Sequence, residues 1–165
     1  MENCVFCETM KSNSEDSFEI PRLQYFSFII DIFPVTPGHI LIVPKRHVAE
    51  YMQLTDQERY ELVDAIRKLY EHFETLNLVD LYTNLISIYG KKIPKSLSYL
   101  TDAKNKSKKY NRAPDGFNHG LNDCYEAGRT VDHLHYHIMP RWIGDQKNTT
   151  GGVRKMFTGK GDYKK

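Results

Sequence analysis

The sequence predicts an α+β domain, and three observations carry that expectation. Short aromatic and β-branched runs at residues 18–20, 25–31 and 39–43 read as strands. A long stretch after Thr55 repeats apolar residues at three- and four-residue steps, the period of an amphipathic helix. Residues 132–140, Asp-His-Leu-His-Tyr-His-Ile-Met-Pro, alternate histidine with apolar side chains. In an extended chain, side chains at i, i+2 and i+4 share one side. His133, His135 and His137 are therefore expected on one face, and Leu134, Tyr136 and Ile138 on the other.

Composition bounds the rest. The chain has 165 residues, 40% hydrophobic and 27% charged, which suits one domain with its own core. A net charge of +2 is too small to argue for a nucleic-acid partner. No apolar run approaches the roughly 18 residues of a membrane span. Met1-Glu2-Asn3-Cys4 leads into polar sequence without a signal peptide, so the expected location is cytoplasmic. Three cysteines do not make a disulfide framework.

In chain order, Cys4-Val5-Phe6-Cys7 comes first. A Cys-x-x-Cys turn gathers two sulfurs, as in a tetrahedral zinc site or a redox pair. Glu15-Asp16-Ser17 gives no helix start of the kind a redox motif prefers. The strand at 18–20 is broken from the next by Pro21-Arg22, and Asp31 closes the second strand. Pro37-Gly38 turns the chain into a third strand that has His39 at its mouth, and Pro44-Lys45-Arg46-His47 ends it with positive charge.

Thr55-Asp56-Gln57-Glu58 is a capping box. Leu62, Val63, Ile66, Leu69, Tyr70 and Phe73 then form one apolar stripe, expected to pack across the sheet. Residues 77–112 are longer than an ordinary connection. Their first part is apolar enough to be more helix, Pro94 interrupts, and 96–110 reads as a second short helix. Lys91, Lys92, Lys95, Lys104, Lys106, Lys108, Lys109 and Arg112 make the stretch basic. A solvated lysine loop is the default reading; the sharper one is a lid whose cations reach a polyphosphate. Further on, Gly128-Arg129-Thr130 has the makings of an anion loop, with glycine admitting close backbone approach and Thr130 adding a hydroxyl donor.

The His133-Leu-His135-Tyr-His137-Ile-Met run resembles the signature of the histidine triad family. Gly128-Arg129-Thr130-Val131 before it, Pro140-Arg141-Trp142 after it, and Asp31 with residues 37–47 upstream occur in that family's order. The resemblance covers most of 1–76 and 113–142. It implies a five-stranded antiparallel sheet with a long helix packed on it, extended across a homodimer. The single domain would span 1–165, with an insertion at about 77–112 and a frayed tail at 158–165.

For chemistry, the resemblance implies a nucleotide hydrolase or transferase. His135 would attack an α-phosphate and carry the nucleotide as a covalent adduct. His137 and His39 would complete the catalytic set. Asp31 would accept ribose hydroxyls; Asn122, Gly128, Arg129 and Thr130 would hold phosphate, with His133 beside them as the first of the triad. Arg129 stands where many relatives have glutamine, and would pair with phosphate or point to solvent. A subset of the family joins Cys-x-x-Cys to two histidines through zinc. That places a structural zinc on Cys4, Cys7, His47 and His133, and makes His133 a ligand rather than a catalyst; the reaction itself requires no metal. Trp142-Ile-Gly144-Asp145 and Gly151-Gly152-Val153-Arg154 resemble the branch containing diadenosine tetraphosphate phosphorylases and hydrolases. A dinucleoside polyphosphate is the substrate this favours, adenine being the family's usual base. The competing expectations are a purine nucleoside phosphoramidate hydrolase and a nucleotide-binding regulatory protein.

Overall fold

A computed structural model describes residues 4–11 and 22–156. Helix α1 spans Val5–Lys11 and strand β1 spans Phe26–Ile30; β2 is Ile40–Pro44 and helix α2 is Asp56–His72. Helices α3 (Leu78–Lys92) and α4 (Leu97–Ser107) follow, then β3 (Gly116–Leu121) and β4 (Tyr136–Arg141). The four strands form one antiparallel sheet in the order β1-β2-β4-β3. The expected fifth strand at 18–20 and the tail at 158–165 lie outside the described residues.

The helix-side core explains the periodicities. Leu62, Ala65, Leu69 and Phe73 of α2 share a cluster with Phe26, Ile40, Ile42, Leu134 and Ile138. Burying a side chain of this size stabilises the fold by about 1.5–3 kcal/mol. Val63, expected in the stripe, is 70% exposed. It follows Leu62 by one step, about 100° around the helix, so it leaves the buried face. Ala65 takes the inward position instead.

The capping box forms as the sequence requires. Thr55 Oγ1 accepts the Glu58 amide at 3.2 Å, and Glu58 accepts the Thr55 amide at 2.7 Å. Glu58 is buried and also takes Arg46 Nη2 at 2.7 Å. That guanidinium, above all, holds its carboxyl below the usual range.

Residues 77–112 are a helical hairpin, not a loop. Asn77 Oδ1 caps α3 by accepting the amides of Val79 and Asp80. A short 3-10 turn at Pro94–Ser96 follows, because proline has no amide to continue the ladder. Tyr82, Leu85, Leu100 and Ala103 then pack the two helices together and onto Ile30 of β1. Trp142 fastens the end of the hairpin to β4: it is buried, stacks on Tyr110, and donates Nε1 to the Arg112 carbonyl at 3.2 Å.

The histidine segment departs from a straight strand. Pairing begins only at Tyr136, and His133 sits in a bend. Two bonds draw this segment toward the chain that leaves β2. His133 Nε2 reaches the Pro44 carbonyl at 2.8 Å, and the Leu134 amide donates to Val48 O. The division of faces survives. Leu134 and Ile138 lie in the helix-side core, while His135 packs against Phe6 of α1.

Candidate functional site

The sheet face opposite α2 carries the chemistry. Leu41 pairs with His137 and Ile40 with Ile138, which brings the start of β2 alongside β4. His39, one residue before β2, is only 3% exposed. Its Nε2 is 3.0 Å from His137 Nδ1, and its Nδ1 is 3.3 Å from Asp31 Oδ2, without the alignment of a hydrogen bond. The carboxylate favours the proton on His39 Nδ1. His39 Nε2 then accepts from His137 Nδ1, which leaves His137 Nε2 buried, bare and without a partner among the described residues.

His135 has an independent anchor. Its Nδ1 lies 2.7 Å from the His133 carbonyl. A carbonyl only accepts, so Nδ1 carries a proton, and the neutral tautomer compatible with this bond has its lone pair on Nε2. The His135 and His137 rings meet edge-on with centroids 4.9 Å apart. Burial, first, and the neighbouring His39 and His135 push His137 down to about 4. Burial also lowers His39, against the opposing pull of Asp31. At neutral pH both are uncharged bases. An anion bound beside them raises their proton affinity.

A cavity of about 400 Å³ opens at His39 and His137. Gly120 and Asn122 of the β3 side wall it, together with Val153 and Met156 from the chain beyond β4. His135 is not part of this wall; it is 6% exposed and covered by Phe6, with ring centroids 5.2 Å apart.

The expected anion loop is only partly free to bind. Gly128 has φ +94, a conformation that favours glycine. Its amide donates to Tyr125 O and the Arg129 amide to Cys124 O, so both are spent within the turn. Arg129 takes neither expected course. It is 7% exposed and turned inward, donating to Ala49 O and pairing with Asp132 at 2.8 Å. Thr130 is exposed, and Asn122 lies close to Gly128. Asp31 is shared between readings: Oδ1 accepts the Phe33 amide at 2.8 Å, as a turn-starting aspartate does, while Oδ2 faces His39.

The remaining predicted residues gather elsewhere. Cys4, Cys7, His47 and His133 place four ligand atoms within 4.8 Å of one another. Cys4 Sγ is 3.3 Å and Cys7 Sγ 3.5 Å from His133 Nδ1, and Cys7 Sγ is 3.4 Å from His47 Nδ1. Tetrahedral zinc, with bonds of about 2.3 Å to sulfur and 2.0–2.1 Å to nitrogen, sets sulfur and nitrogen about 3.5 Å apart. Because His133 Nε2 donates to Pro44 O, its Nδ1 is bare toward the thiols, the tautomer a metal requires. Donor set and spacing both fit. Both His133 ring nitrogens are thereby engaged away from the histidine cavity.

Sequence reasoning did not single out Phe6, Asn118, Met139 or Tyr82. Asn118 and Met139 were legible in principle, since two-residue alternation from Asn122 and His137 reaches them. Tyr82, fully buried on α3, accepts the Gly38 amide at 2.8 Å, and nothing local signals that contact. His119 hydrogen-bonds Tyr136 Oη at 2.7 Å on the other face of the sheet, beside Tyr70 of α2.

An Asp31–His39–His137 row, a histidine anchored beside it by a backbone carbonyl and a Cys/His cluster behind them define a histidine-rich site on an α+β sheet. A HIT domain family profile matches residues 13–142, and the chain belongs to that family. A relative from Mycobacterium tuberculosis, an AP-4-A phosphorylase, is 29% identical over 141 residues. The match covers 85% of this chain and 54% of that protein, so the chain spans about half the relative's length. An adenosine 5'-monophosphoramidase from Candida albicans is 23% identical over 139 residues, covering 84% of this chain and 70% of that one. The fold matches a Zn-bound histidine triad family protein from Mycobacterium smegmatis at TM-score 0.54 and 22% identity, covering 88% of this chain and 80% of that one. Among the described residues no helix is long and apolar enough to cross a membrane.

Proposed function

We propose that the protein is a nucleotide hydrolase or transferase that works through a nucleotidyl-histidine on His135, with dinucleoside polyphosphates as its substrates. One observation carries the reading: the His133 carbonyl holds His135 in the tautomer whose Nε2 is a free nucleophile. Nε2 forms a bond to the α-phosphorus as the anhydride oxygen leaves with its electron pair. The bound phosphate raises the proton affinity of the His39–His137 pair, which takes up a proton from solvent at His137 Nε2 and passes it to that oxygen. Water or inorganic phosphate then forms the new P–O bond and gives its proton to the now neutral His39–His137 pair, the P–N bond breaks, and His135 recovers its lone pair.

Asn122 and Thr130 are the phosphate-binding donors of this reading, with His39 beside them. Asp31 retains lone pairs for ribose hydroxyls. A structural zinc on Cys4, Cys7, His47 and His133 would fix α1, and with it Phe6, against His135. A homodimer in which the sheets of two copies join through β3, one of the two edges of the described sheet, completes the assembly in this reading.

The relationship to an AP-4-A phosphorylase favours the polyphosphate. The relationship to a phosphoramidase supports the second reading, a nucleoside phosphoramidate hydrolase. Product analysis on diadenosine tetraphosphate and adenosine phosphoramidate, with and without phosphate, separates them. Preferred cleavage of the tetraphosphate is expected, and ADP formed only with phosphate identifies phosphorolysis. Preferred cleavage of the phosphoramidate transfers the protein to the second reading. Nucleotide binding with neither cleavage makes it a binding protein.

A further inference from the structure

A second cavity, about 320 Å³, lies between the end of α4 and the sheet. It shares Val35, Asn118 and Met139 with the histidine cavity, so the two adjoin. The alternation of β4 explains the alignment: His137, Met139 and Arg141 face the same side. Four residues of strand put Arg141 about 13 Å beyond His137, further than one phosphate held at the histidines extends.

The far end is cationic. Of the basic residues in the inserted hairpin, Lys106 and Lys109 line it, opposite Arg141. The other lysines and Arg112 do not. Carboxylates are also present: Asp145 takes Arg141 in two bonds of 2.7 and 2.8 Å, and Asp102 pairs with Lys106 at 2.7 Å. Lys109 rests 4.9 Å from the Tyr110 ring centroid, with no carboxylate at ion-pair distance among the described residues. Three cations against two carboxylates, Asp145 in the cavity wall and Asp102 beside it, leave a net positive charge that attracts an anion.

We propose that this cavity binds the distal phosphates of a substrate whose reactive phosphate lies at the histidines. The inserted hairpin thereby selects leaving groups that are long phosphate chains. This rests on the nucleotidyl-histidine reading of the site.

The test uses the Lys106→Ala/Lys109→Ala protein, with Lys91→Ala/Lys92→Ala on α3 as a control of equal charge. All four side chains are at the surface or partly so, and both variants should fold. KM is measured for diadenosine tetraphosphate and adenosine phosphoramidate, and binding of inorganic tripolyphosphate is followed by calorimetry. The expected result is about a tenfold rise in KM for the tetraphosphate and a similar loss of tripolyphosphate affinity, each about 1.4 kcal/mol. KM for the phosphoramidate stays unchanged, and the control matches the parent. Equal tripolyphosphate binding by parent and Lys106/Lys109 variant overturns the proposal, as does an equal loss in the control. If the parent cleaves neither nucleotide, the nucleotidyl reading fails, and the tripolyphosphate arm still decides the cavity.

Discussion

His135 Nδ1 donates to the carbonyl oxygen of His133 across 2.7 Å. Two residues of one segment thus divide the work. His133 turns its ring to the Cys/His cluster and its backbone to His135. His135→Ala should reduce turnover by about 10⁴-fold or more, the scale seen when a nucleophile is removed. Nucleotide affinity should stay within a few fold, measured by equilibrium binding. Residual turnover near the parent rate would remove His135 from the nucleophile role.

The His39–His137 pair predicts an acid-labile fold. His137 has its pKa depressed from 6.5 to about 4, so its neutral form is the one the native state favours. The unfolded chain takes up the proton first as pH falls. Stability is therefore full above pH 6.5 and falls between 6.5 and about 4, by at most about 3 kcal/mol. Burial of His39 works in the same direction. Thermal melts of the parent and of His137→Asn from pH 7.5 to 4.5 should show a shallower loss in the variant. Parallel curves would mean that His137 is not the group responsible.

Much of this arrangement was legible in the chain. Helix α2 announced itself through Thr55 and Glu58, and the histidine alternation separated a histidine face from a core face. Cys4, Cys7, His47 and His133 come from three distant stretches, and only a family resemblance placed them together. The bend at His133 was not visible, because it depends on the backbone of Pro44 and Val48 in another segment. Arg129 misled for a similar reason. A guanidinium beside a glycine reads as an anion ligand until Ala49 O and Asp132 are seen to hold it.

Metal analysis should find one zinc per chain. Burial, first, and the adjacent Cys4 raise the Cys7 thiol, against the opposing pull of Lys11. A bound dication stabilises the thiolates. Cys7→Ser should lose the metal and lower Tm by several degrees. Because Phe6 packs on both His133 and His135, turnover should fall with it. A Cys7→Ser protein with unchanged metal content and Tm would refute the cluster.

Tyr82 ties the inserted hairpin to the histidines. Its hydroxyl accepts the Gly38 amide in a fully buried setting, and His39 is the next residue. Gly38 itself has φ +74, and a Cβ there would stand 2.7 Å from Phe73 Cε1, so the turn admits little adjustment. Tyr82→Phe removes the acceptor and leaves a buried amide unsatisfied, at a cost of about 1–3 kcal/mol. Urea denaturation should register that loss. His39 would also lose the fixed backbone that places its Nε2 at 3.0 Å from His137. We expect kcat to fall more than KM rises, because in the proposed mechanism the pair acts on the leaving group. An unaltered kcat in a destabilised Tyr82→Phe protein would confine the tyrosine to a structural role. A parallel fall in kcat for Tyr82→Phe and His39→Ala would place the hairpin inside the working machinery of the site.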